Sequence, residues 1–248
     1  MNTRVASLDE IPLAAELLKQ GFPIVFPTET VYGLGAPVFL PDAVSKIFSI
    51  KGRPSDNPLI AHVHSIQSVE KMADALPRSF FLLAERFWPG PLAIILRRKE
   101  IVPSIVSAGH ATIAIRMPDH EGALRLIEQV GQPLAAPSAN LSGRPSPTCA
   151  LDAWEDLSGK VPLILDGGPC RIGIESTVVS LSALSSSCSL ATFCFTGLCF
   201  SDRFFSTFNH LFFLLIVRKP EFEFSKNTSL EASCFRRAIP LSLFALQI

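Results

Sequence analysis

The sequence predicts an α/β fold over residues 1–181, because short apolar strands alternate there with amphipathic helices. The loops between these elements are rich in proline, which favours an irregular mixed sheet over a regular parallel one. No GxGxxG pattern follows a predicted strand, and this argues against a dinucleotide-binding Rossmann unit.

The predicted helices carry apolar residues at helical spacing and have recognisable ends. In the first helix, Leu13 and Leu17 are four residues apart, and Gly21 ends the helix. Asp42 is positioned to cap the second helix, and a Trp-Pro-Gly-Pro run breaks the fourth. Helices are predicted for residues 8–20, 42–50, 66–76, 79–87 and 119–130.

The predicted strands are short and mainly aliphatic. They span residues 24–26, 59–64, 92–96, 112–117, 134–136, 161–165 and 176–181. Residues 27–35 are predicted to form a polar loop with two glycines. Because polar residues cluster where these strands end, we expect a ligand site at that edge of the sheet.

Composition excludes several classes of protein. The chain has 248 residues with 22 basic and 22 acidic side chains, so bulk positive charge does not hold it on nucleic acid. A hydrophobic share of 48% excludes a chain that is disordered throughout. We expect a cytoplasmic protein with no membrane span, because no apolar run is long enough and the N-terminus lacks a signal-peptide core.

The composition changes abruptly after about residue 181. Residues 181–248 hold 12 of the 19 Phe but only 1 of the 14 Gly. We therefore predict a folded domain at residues 1–181. Residues 182–248 are predicted to form an atypical, poorly structured tail rich in Ser, Phe, Leu and Cys.

Lys51 and Arg53 form the first candidate binding element. In an extended segment, residues i and i+2 point the same way, so the ammonium and the guanidinium would lie side by side. Such a pair suits a phosphate or a carboxylate, and Asn57 adds an amide. A solvated basic pair is the alternative interpretation.

Two predicted strands carry polar side chains on one face. His62 and His64 alternate on their strand and suit a ligand hydrogen bond better than a metal, because no third ligand is spaced to join them. Thr112 and Arg116 share a face with a small residue between them, so Arg116 can grip a carboxylate with both arms of its guanidinium. An ordinary exposed strand is the alternative.

Hydroxyl and amide groups follow two further strands. The loop at residues 27–35 combines hydroxyls, a carboxylate and a phenol, and Ser138, Asn140 and Ser146 follow a run of small residues that leaves room for a ligand. Ser138 lacks a GxSxG context, which argues against a hydrolase nucleophile, and no Walker loop is present. The combined pattern indicates adenylation or ligation chemistry on an acidic small molecule.

Six long motifs occur in one order along residues 8–181: PTETVYGLG, KGRPSDNPLIAHV, FWPGPLAIIL, ATIAIRMP, PLAAPSANLSGRPSPT and IESTVVSL. With these motifs the chain resembles the YrdC-like family of L-threonylcarbamoyl-adenylate synthases. The resemblance implies a twisted mixed α/β sheet curled around a positively lined concave cavity, with helices packed outside. It also implies synthesis of threonylcarbamoyl-AMP and pyrophosphate from ATP, L-threonine and bicarbonate, for the threonylcarbamoyladenosine modification of tRNA.

The resemblance also implies roles for individual residues and partners. Lys51 and Arg53 would be catalytic through charge neutralisation, and no protein metal site is implied because Mg²⁺ would be held by the triphosphate and water. The ATP site would comprise Lys51, Arg53, Asn57, Thr112, Ser138, Asn140 and Ser146. The threonine site would comprise Thr30, His62, Arg116, Ala136 and Ser176, with Arg116 on the carboxylate. The product would pass to tRNA or to the machinery that transfers the threonylcarbamoyl group.

The resemblance ends near residue 181. Family members continue past STVV with an acidic residue and then an Arg-Pro-Gly that closes over the nucleotide. Here Ser180 stands in place of the acid, and no Arg-Pro-Gly follows. We hypothesise that the tail is translated in a shifted frame. A lineage-specific tail and a membrane-associating tail are the alternatives, and re-reading the coding DNA in the other two frames discriminates among them.

Two other functions are weighed against the synthase. Carbamoyl-adenylate chemistry, as in hydrogenase maturation, would require acylphosphatase and zinc-finger modules, which this sequence lacks. An RNA-binding module without synthase activity would use a positive concave surface, but zero net charge and the lack of an RNP-like aromatic motif count against it. The synthase is therefore the leading hypothesis.

Overall fold

Ten strands form one mixed sheet in the computed structural model, which describes residues 2–181 and 192–194. The strands are β1 Arg4–Ser7, β2 Ile24–Phe26, β3 Gly33–Pro37, β4 Ile60–His62, β5 Leu92–Arg97, β6 Thr112–Arg116, β7 Leu134–Ala135, β8 Leu163–Asp166, β9 Thr177–Ser180 and β10 Thr192–Cys194. The helices are α1 Ile11–Lys19, α2 Pro41–Lys51, α3 Ile66–Glu70, α4 Arg78–Phe87, α5 Glu121–Val130 and α6 Ala150–Leu157. The predicted α/β class is confirmed.

The sheet mixes parallel and antiparallel neighbours. Its strand order is β1-β8-β2-β3-β7-β4-β6-β5-β9-β10. The pairs β1–β8, β8–β2, β4–β6 and β5–β9 are parallel, and the other neighbouring pairs are antiparallel. The mixed topology agrees with the prediction, whereas the positive lining of the concave surface stays a prediction.

Helices cover both faces of the sheet. Along β2, Ile24 and Phe26 pack in a core cluster with α1 and α5, while Val25 between them packs in the cluster that contains α2. The neighbouring strand β8 alternates in the same way about Ile164. Because successive side chains of a strand point to opposite faces, this pattern requires an apolar layer on each side of the sheet.

The structure corrects the prediction for residues 27–35. The loop ends at Tyr32, and Gly33–Pro37 form the buried strand β3 between β2 and β7. A strand with two glycines and a proline lacks the β-branched pattern that identifies strands in a sequence. The prediction also missed β1, a short edge strand with mostly exposed side chains, and α6.

The helices agree with prediction except at their ends. α2 begins at Pro41, so Asp42 lies inside the first turn and does not cap the helix. The helix predicted for residues 66–76 is the shorter α3, which ends at Glu70. α2 extends through Lys51, and Gly52 ends it in the left-handed conformation with a φ of 62°. Lys51, a predicted site residue, is therefore the last residue of a helix.

Gly35 permits close packing of β3 against Phe26. A Cβ at position 35 would lie 2.6 Å from Cε1 of the fully buried Phe26 ring. We expect Gly35→Ala to lower the free energy of unfolding by about 1–3 kcal/mol, because a packed core yields little to added volume. Urea denaturation measures this change. In a Phe26→Leu background the same alanine should cost less, and an equal cost in both backgrounds would contradict this contact.

The described residues include no helix that is both long enough and apolar enough to cross a membrane. The predicted tail at residues 182–248 lies outside the described residues, apart from the backbone of β10, which pairs antiparallel with β9. The division of the chain at residue 181 and the frame-shift hypothesis stay predictions.

Candidate active site

Arg116 lies buried at the end of β6 with its guanidinium held in a fixed orientation. Nη1 donates to the Thr30 hydroxyl at 3.0 Å, and Nε donates to the Gly90 carbonyl at 3.2 Å. Nη2 lies 2.6 Å from Oε1 of Glu29. Since each Nη atom carries two hydrogens, the guanidinium keeps donors for a ligand while it stays anchored.

The turn at Thr28 brings Glu29 and Thr30 to Arg116. The Thr28 hydroxyl accepts from the backbone N–H groups of Thr30 and Val31 at 3.2 and 3.3 Å and donates to the Val31 carbonyl at 2.7 Å. The Thr28 and Thr30 hydroxyls lie 2.9 Å apart. A threonine side chain that replaces backbone partners in this way stabilises a tight, buried polar turn.

Glu29 is the buried carboxylate of this site; the sequence identifies it only as the carboxylate of the loop at residues 27–35 and assigns it no binding role. It is 2% exposed. Among the described residues neither of its carboxylate oxygens has an aligned hydrogen-bond donor, even though Oε1 lies 2.6 Å from Nη2 of Arg116. The contact is therefore an attraction of opposite charges with poor hydrogen-bond geometry. Its only signal in the sequence is its place between two threonines.

Burial shifts the pKa values of three groups near the Glu29–Arg116 pair toward the uncharged form. Burial, together with the nearby charge of Arg116, lowers the pKa of His62 to about 3. Burial also lowers the pKa of His120, against the opposing effect of the Glu29 charge. Burial raises the pKa of the Cys170 thiol to about 11. For each of these three groups, burial favours the neutral form beside the Arg116–Glu29 ion pair.

His62 lies beside Arg116, and a shared role of the two residues in one binding site stays a prediction. The two residues are paired in the parallel register of β4 and β6. The His62 ring packs edge-on against Phe26 with centroids 6.0 Å apart, and its Nδ1 lies 3.2 Å from the Ile60 carbonyl. Within the described part of the chain, no group of three His, Cys, Asp or Glu side chains could hold a metal ion.

Lys51 does not lie in an extended segment, and this corrects the predicted geometry of the cation pair. As the last residue of α2, it directs its Nζ to the backbone carbonyls of Ser138 and Asn140, with the Asn140 Oδ1 at 3.3 Å. Burial, together with the charge of Arg53, lowers the pKa of Lys51 to about 7. The two cations are close enough to interact, but Lys51 also ties α2 to the loop after β7.

The loop after β7 is shaped by the side chain of Asn140. Its Nδ2 donates to the carbonyls of Leu141 and Arg144 at 3.0 and 2.7 Å, and its Oδ1 accepts from the Ser138 hydroxyl at 2.5 Å. Asp156 of α6 holds the same loop by accepting from the Leu141 N–H at 2.8 Å and from the Arg144 guanidinium. Asn140 thus has a structural role in this loop, and its contact with a nucleotide stays a prediction.

The remaining residues predicted for ATP lie in three other parts of the fold: the loop after α2, the start of β6 and the loop after β7. Arg53 donates to the Pro58 carbonyl at 3.2 Å, and Asn57 is exposed in the same loop. Thr112 begins β6, at the opposite end from Arg116 and roughly 13 Å away along the strand. The Ser146 hydroxyl donates to Oε1 of Glu175 at 2.6 Å. That last bond joins the loop after β7 to the segment before β9.

Of the two remaining residues predicted for threonine, Ser176 lies beside the Arg116 end of the sheet, and Ala136 lies beside Ile60, two residues further along β4 from His62. The Ala136 N–H donates to the Ile60 carbonyl at 2.9 Å, which holds this small residue against β4. Ser176 is half-buried directly before β9, whose first residue, Thr177, donates to the Pro91 carbonyl at 3.0 Å. The structure therefore brings Thr30, His62 and Arg116 into one buried cluster, whereas Thr112 lies at the opposite end of β6.

Comparison with known proteins places the chain among proteins of one family. The family model Sua5_yciO_yrdC, described as "Telomere recombination", matches residues 16–189. The threonylcarbamoyl-AMP synthase of Pyrococcus abyssi is 51% identical over 173 residues, which cover 70% of this chain and 51% of that protein. The Bacillus subtilis threonylcarbamoyl-AMP synthase is 53% identical over 172 residues, or 69% of this chain and 50% of that protein.

A solved structure of a related protein also matches the chain. The crystal structure of P. abyssi Sua5 complexed with L-threonine matches with a TM-score of 0.70 and 49% identity, covering 73% of this chain and 54% of that one. The chain spans about half the length of the curated relatives it matches. Since the family model matches well over half of the chain, the chain belongs to the Sua5/YciO/YrdC family.

Proposed function

We propose that the chain is an L-threonylcarbamoyl-adenylate synthase, which makes threonylcarbamoyl-AMP and pyrophosphate from ATP, L-threonine and bicarbonate. The observation that carries this proposal is the buried Arg116 guanidinium, anchored by Thr30 and Gly90 with donors left for a carboxylate. The names of the similar P. abyssi and B. subtilis proteins support it, as does the P. abyssi complex with L-threonine.

The threonine site is proposed at the Arg116 end of β6. The guanidinium of Arg116 would take the amino-acid carboxylate with two charge-assisted hydrogen bonds. The Thr30 hydroxyl, the neutral His62 ring, the Ala136 backbone and the Ser176 hydroxyl would complete the pocket. The depressed pKa of His62 keeps its ring from repelling a bound ammonium.

The ATP site is proposed along the loop after β7 and the end of α2. Lys51 and Arg53 would neutralise phosphate charge, and Asn57 would add an amide donor. Thr112, Ser138, Asn140 and Ser146 would contact the rest of the nucleotide. No Arg-Pro-Gly follows residue 181, so we expect a weaker affinity for ATP than in family members that have this closing arginine.

The proposed chemistry needs no protein nucleophile. The neutral amine of threonine attacks the carbon of bicarbonate, water leaves, and a carbamate results. A carbamate oxygen then attacks the α-phosphorus of ATP, and the bond to pyrophosphate breaks. The protein contributes by orienting the two substrates and by neutralising charge that develops on the leaving pyrophosphate, where Lys51 and Arg53 would act.

Mg²⁺ is expected to arrive with ATP. The residues proposed for the phosphates are two cations and an amide, which suit phosphate oxygens and not a metal ion. We therefore propose that phosphate oxygens and water hold Mg²⁺, which would shield the triphosphate charge during the reaction. The acceptor of the product would be tRNA, through the machinery that transfers the threonylcarbamoyl group, and we expect the chain to act in the cytoplasm, where ATP and threonine are available.

Omitting each substrate in turn tests this function. Pyrophosphate release should require ATP, threonine and bicarbonate together, because the carbamate must form before the α-phosphorus is attacked. Carbamoyl phosphate supplied in place of threonine and bicarbonate should give no pyrophosphate. Release without threonine would contradict the proposal, and release with carbamoyl phosphate would favour hydrogenase-type carbamoyl-adenylate chemistry. The absence of release under all conditions, together with binding of tRNA, would favour an RNA-binding module.

A further inference from the structure

We propose that Glu29 binds the α-ammonium of the amino-acid substrate. This inference rests on the proposed function, because it assigns a further residue to the threonine site. Glu29 is 2% exposed, and within the described residues both of its carboxylate oxygens are buried without an aligned hydrogen-bond donor. Arg116 compensates the charge of Glu29 from 2.6 Å at Oε1 but supplies no well-aligned hydrogen bond, and Oε2 has no hydrogen-bond partner among the described residues, so a cationic N–H donor supplied by a ligand would satisfy the carboxylate.

The position of Glu29 next to Arg116 identifies the kind of ligand. Oε1 of Glu29 and Nη2 of Arg116 are 2.6 Å apart, so the site presents a negative and a positive group side by side. An α-amino acid carries its ammonium and its carboxylate on the same carbon atom. The pair is therefore complementary to a zwitterion, with the ligand carboxylate on the guanidinium and the ligand ammonium on the carboxylate.

The neighbours of Glu29 leave this role to a ligand. Thr30 offers its hydroxyl to Arg116, at 3.0 Å from Nη1. The Thr28 hydroxyl is engaged by the backbone of its own turn. The side chain of His120 accepts from the Ala123 N–H at 3.3 Å as the cap of α5. A ligand ammonium with three N–H donors would supply what these groups do not.

The competing interpretation is that Glu29 acts only as a counter-ion that holds Arg116. Two ligands separate these interpretations: L-threonine and (2S,3R)-2,3-dihydroxybutanoate, in which a hydroxyl replaces the ammonium. Titration calorimetry of the full chain should show tighter binding of threonine. Glu29→Gln should weaken threonine binding by about 10- to 100-fold and change binding of the dihydroxy acid by less than about threefold. The preference for the ammonium should therefore disappear.

Two further variants keep the test decisive. Glu29→Asp retains a carboxylate beside Arg116 but shortens the side chain by one methylene group. It should therefore weaken binding of threonine more than binding of the dihydroxy acid, and it tests the inference even if Glu29→Gln fails to fold. Glu85→Gln changes an exposed glutamate of α4 in the same way and should alter neither affinity. ATP affinity should be the same in all of these variants.

Each outcome has a defined meaning. If Glu29→Asp and Glu29→Gln weaken the binding of threonine and of the dihydroxy acid equally, Glu29 only supports Arg116. That result would overturn the inference and leave the proposed function intact. If the unaltered chain binds ATP but not threonine, the proposed function fails, and the inference fails with it.

Discussion

Replacing Arg116 by lysine should raise the KM for L-threonine by about 100-fold and leave the KM for ATP within about threefold. In the structure the Arg116 guanidinium donates to Thr30 and Gly90 while it lies against Glu29. A lysine ammonium is a compact point charge, so it cannot hold these groups and also grip a carboxylate with two parallel hydrogen bonds. Steady-state kinetics with each substrate varied in turn measure the two KM values.

Lysine is the informative replacement because it keeps a positive charge beside Glu29. Removing one partner of a buried ion pair costs about 3–5 kcal/mol, so an alanine at position 116 would confuse loss of binding with loss of folding. Arg125→Lys is the matched control, since Arg125 is exposed on α5. Equal increases in both KM values for Arg116→Lys would show that this side chain does not bind the amino-acid carboxylate.

Lys51→Ala should abolish adenylate formation and also lower the Tm by about 5 °C or more. The ammonium of Lys51 bonds to the carbonyls of Ser138 and Asn140, and it is buried. Its removal would leave buried acceptors without a donor, at about 1–3 kcal/mol each, and would release the loop after β7 from α2. Product formation and thermal unfolding of the same variant measure the two effects.

Arg53→Ala provides the contrast, because Arg53 bonds to its own loop at the Pro58 carbonyl. We expect this variant to lose about tenfold or more in ATP affinity while its Tm stays within about 2 °C. Lys46→Ala, on the exposed side of the same helix α2, should affect ATP affinity little. If Lys51→Ala made product at the normal rate, the assignment of the phosphate site to the end of α2 would be wrong.

The elements with strong periodicity could be predicted from the sequence. β2, β5 and β6 are short aliphatic runs, and α5 has apolar residues at helical spacing between a first-turn glutamate and a terminal glycine. The strand β6 also fixes which residues face the site, because Ile113 and Ile115 are buried in the core, as their alternation with Arg116 requires. The position of Arg116 at a strand end followed from this pattern.

Other features depend on tertiary packing and left little trace in the sequence. β3 contains two glycines and is a strand because it pairs with β2 and β7, and the lack of a side chain at Gly35 makes room for the Phe26 ring. The direction of the Lys51 side chain depends on where α2 ends. The helix includes Lys51, one residue more than predicted, so Lys51 and Arg53 do not form the expected extended pair. Glu29 is buried beside Arg116, whereas glutamate side chains are rarely buried, so the residue type alone predicts an exposed position. Such residues are identified only when their three-dimensional neighbours are known.

The central claim is that this chain joins bicarbonate, threonine and AMP into one product. The most direct measurement incubates the full chain with ATP, L-threonine and ¹³C-bicarbonate and analyses the nucleotides by mass spectrometry. We predict a threonylcarbamoyl-AMP ion that is heavier by the labelled carbon, formed in equal amount with pyrophosphate and absent when threonine is omitted. Pyrophosphate formed without any labelled adenylate would contradict the claim.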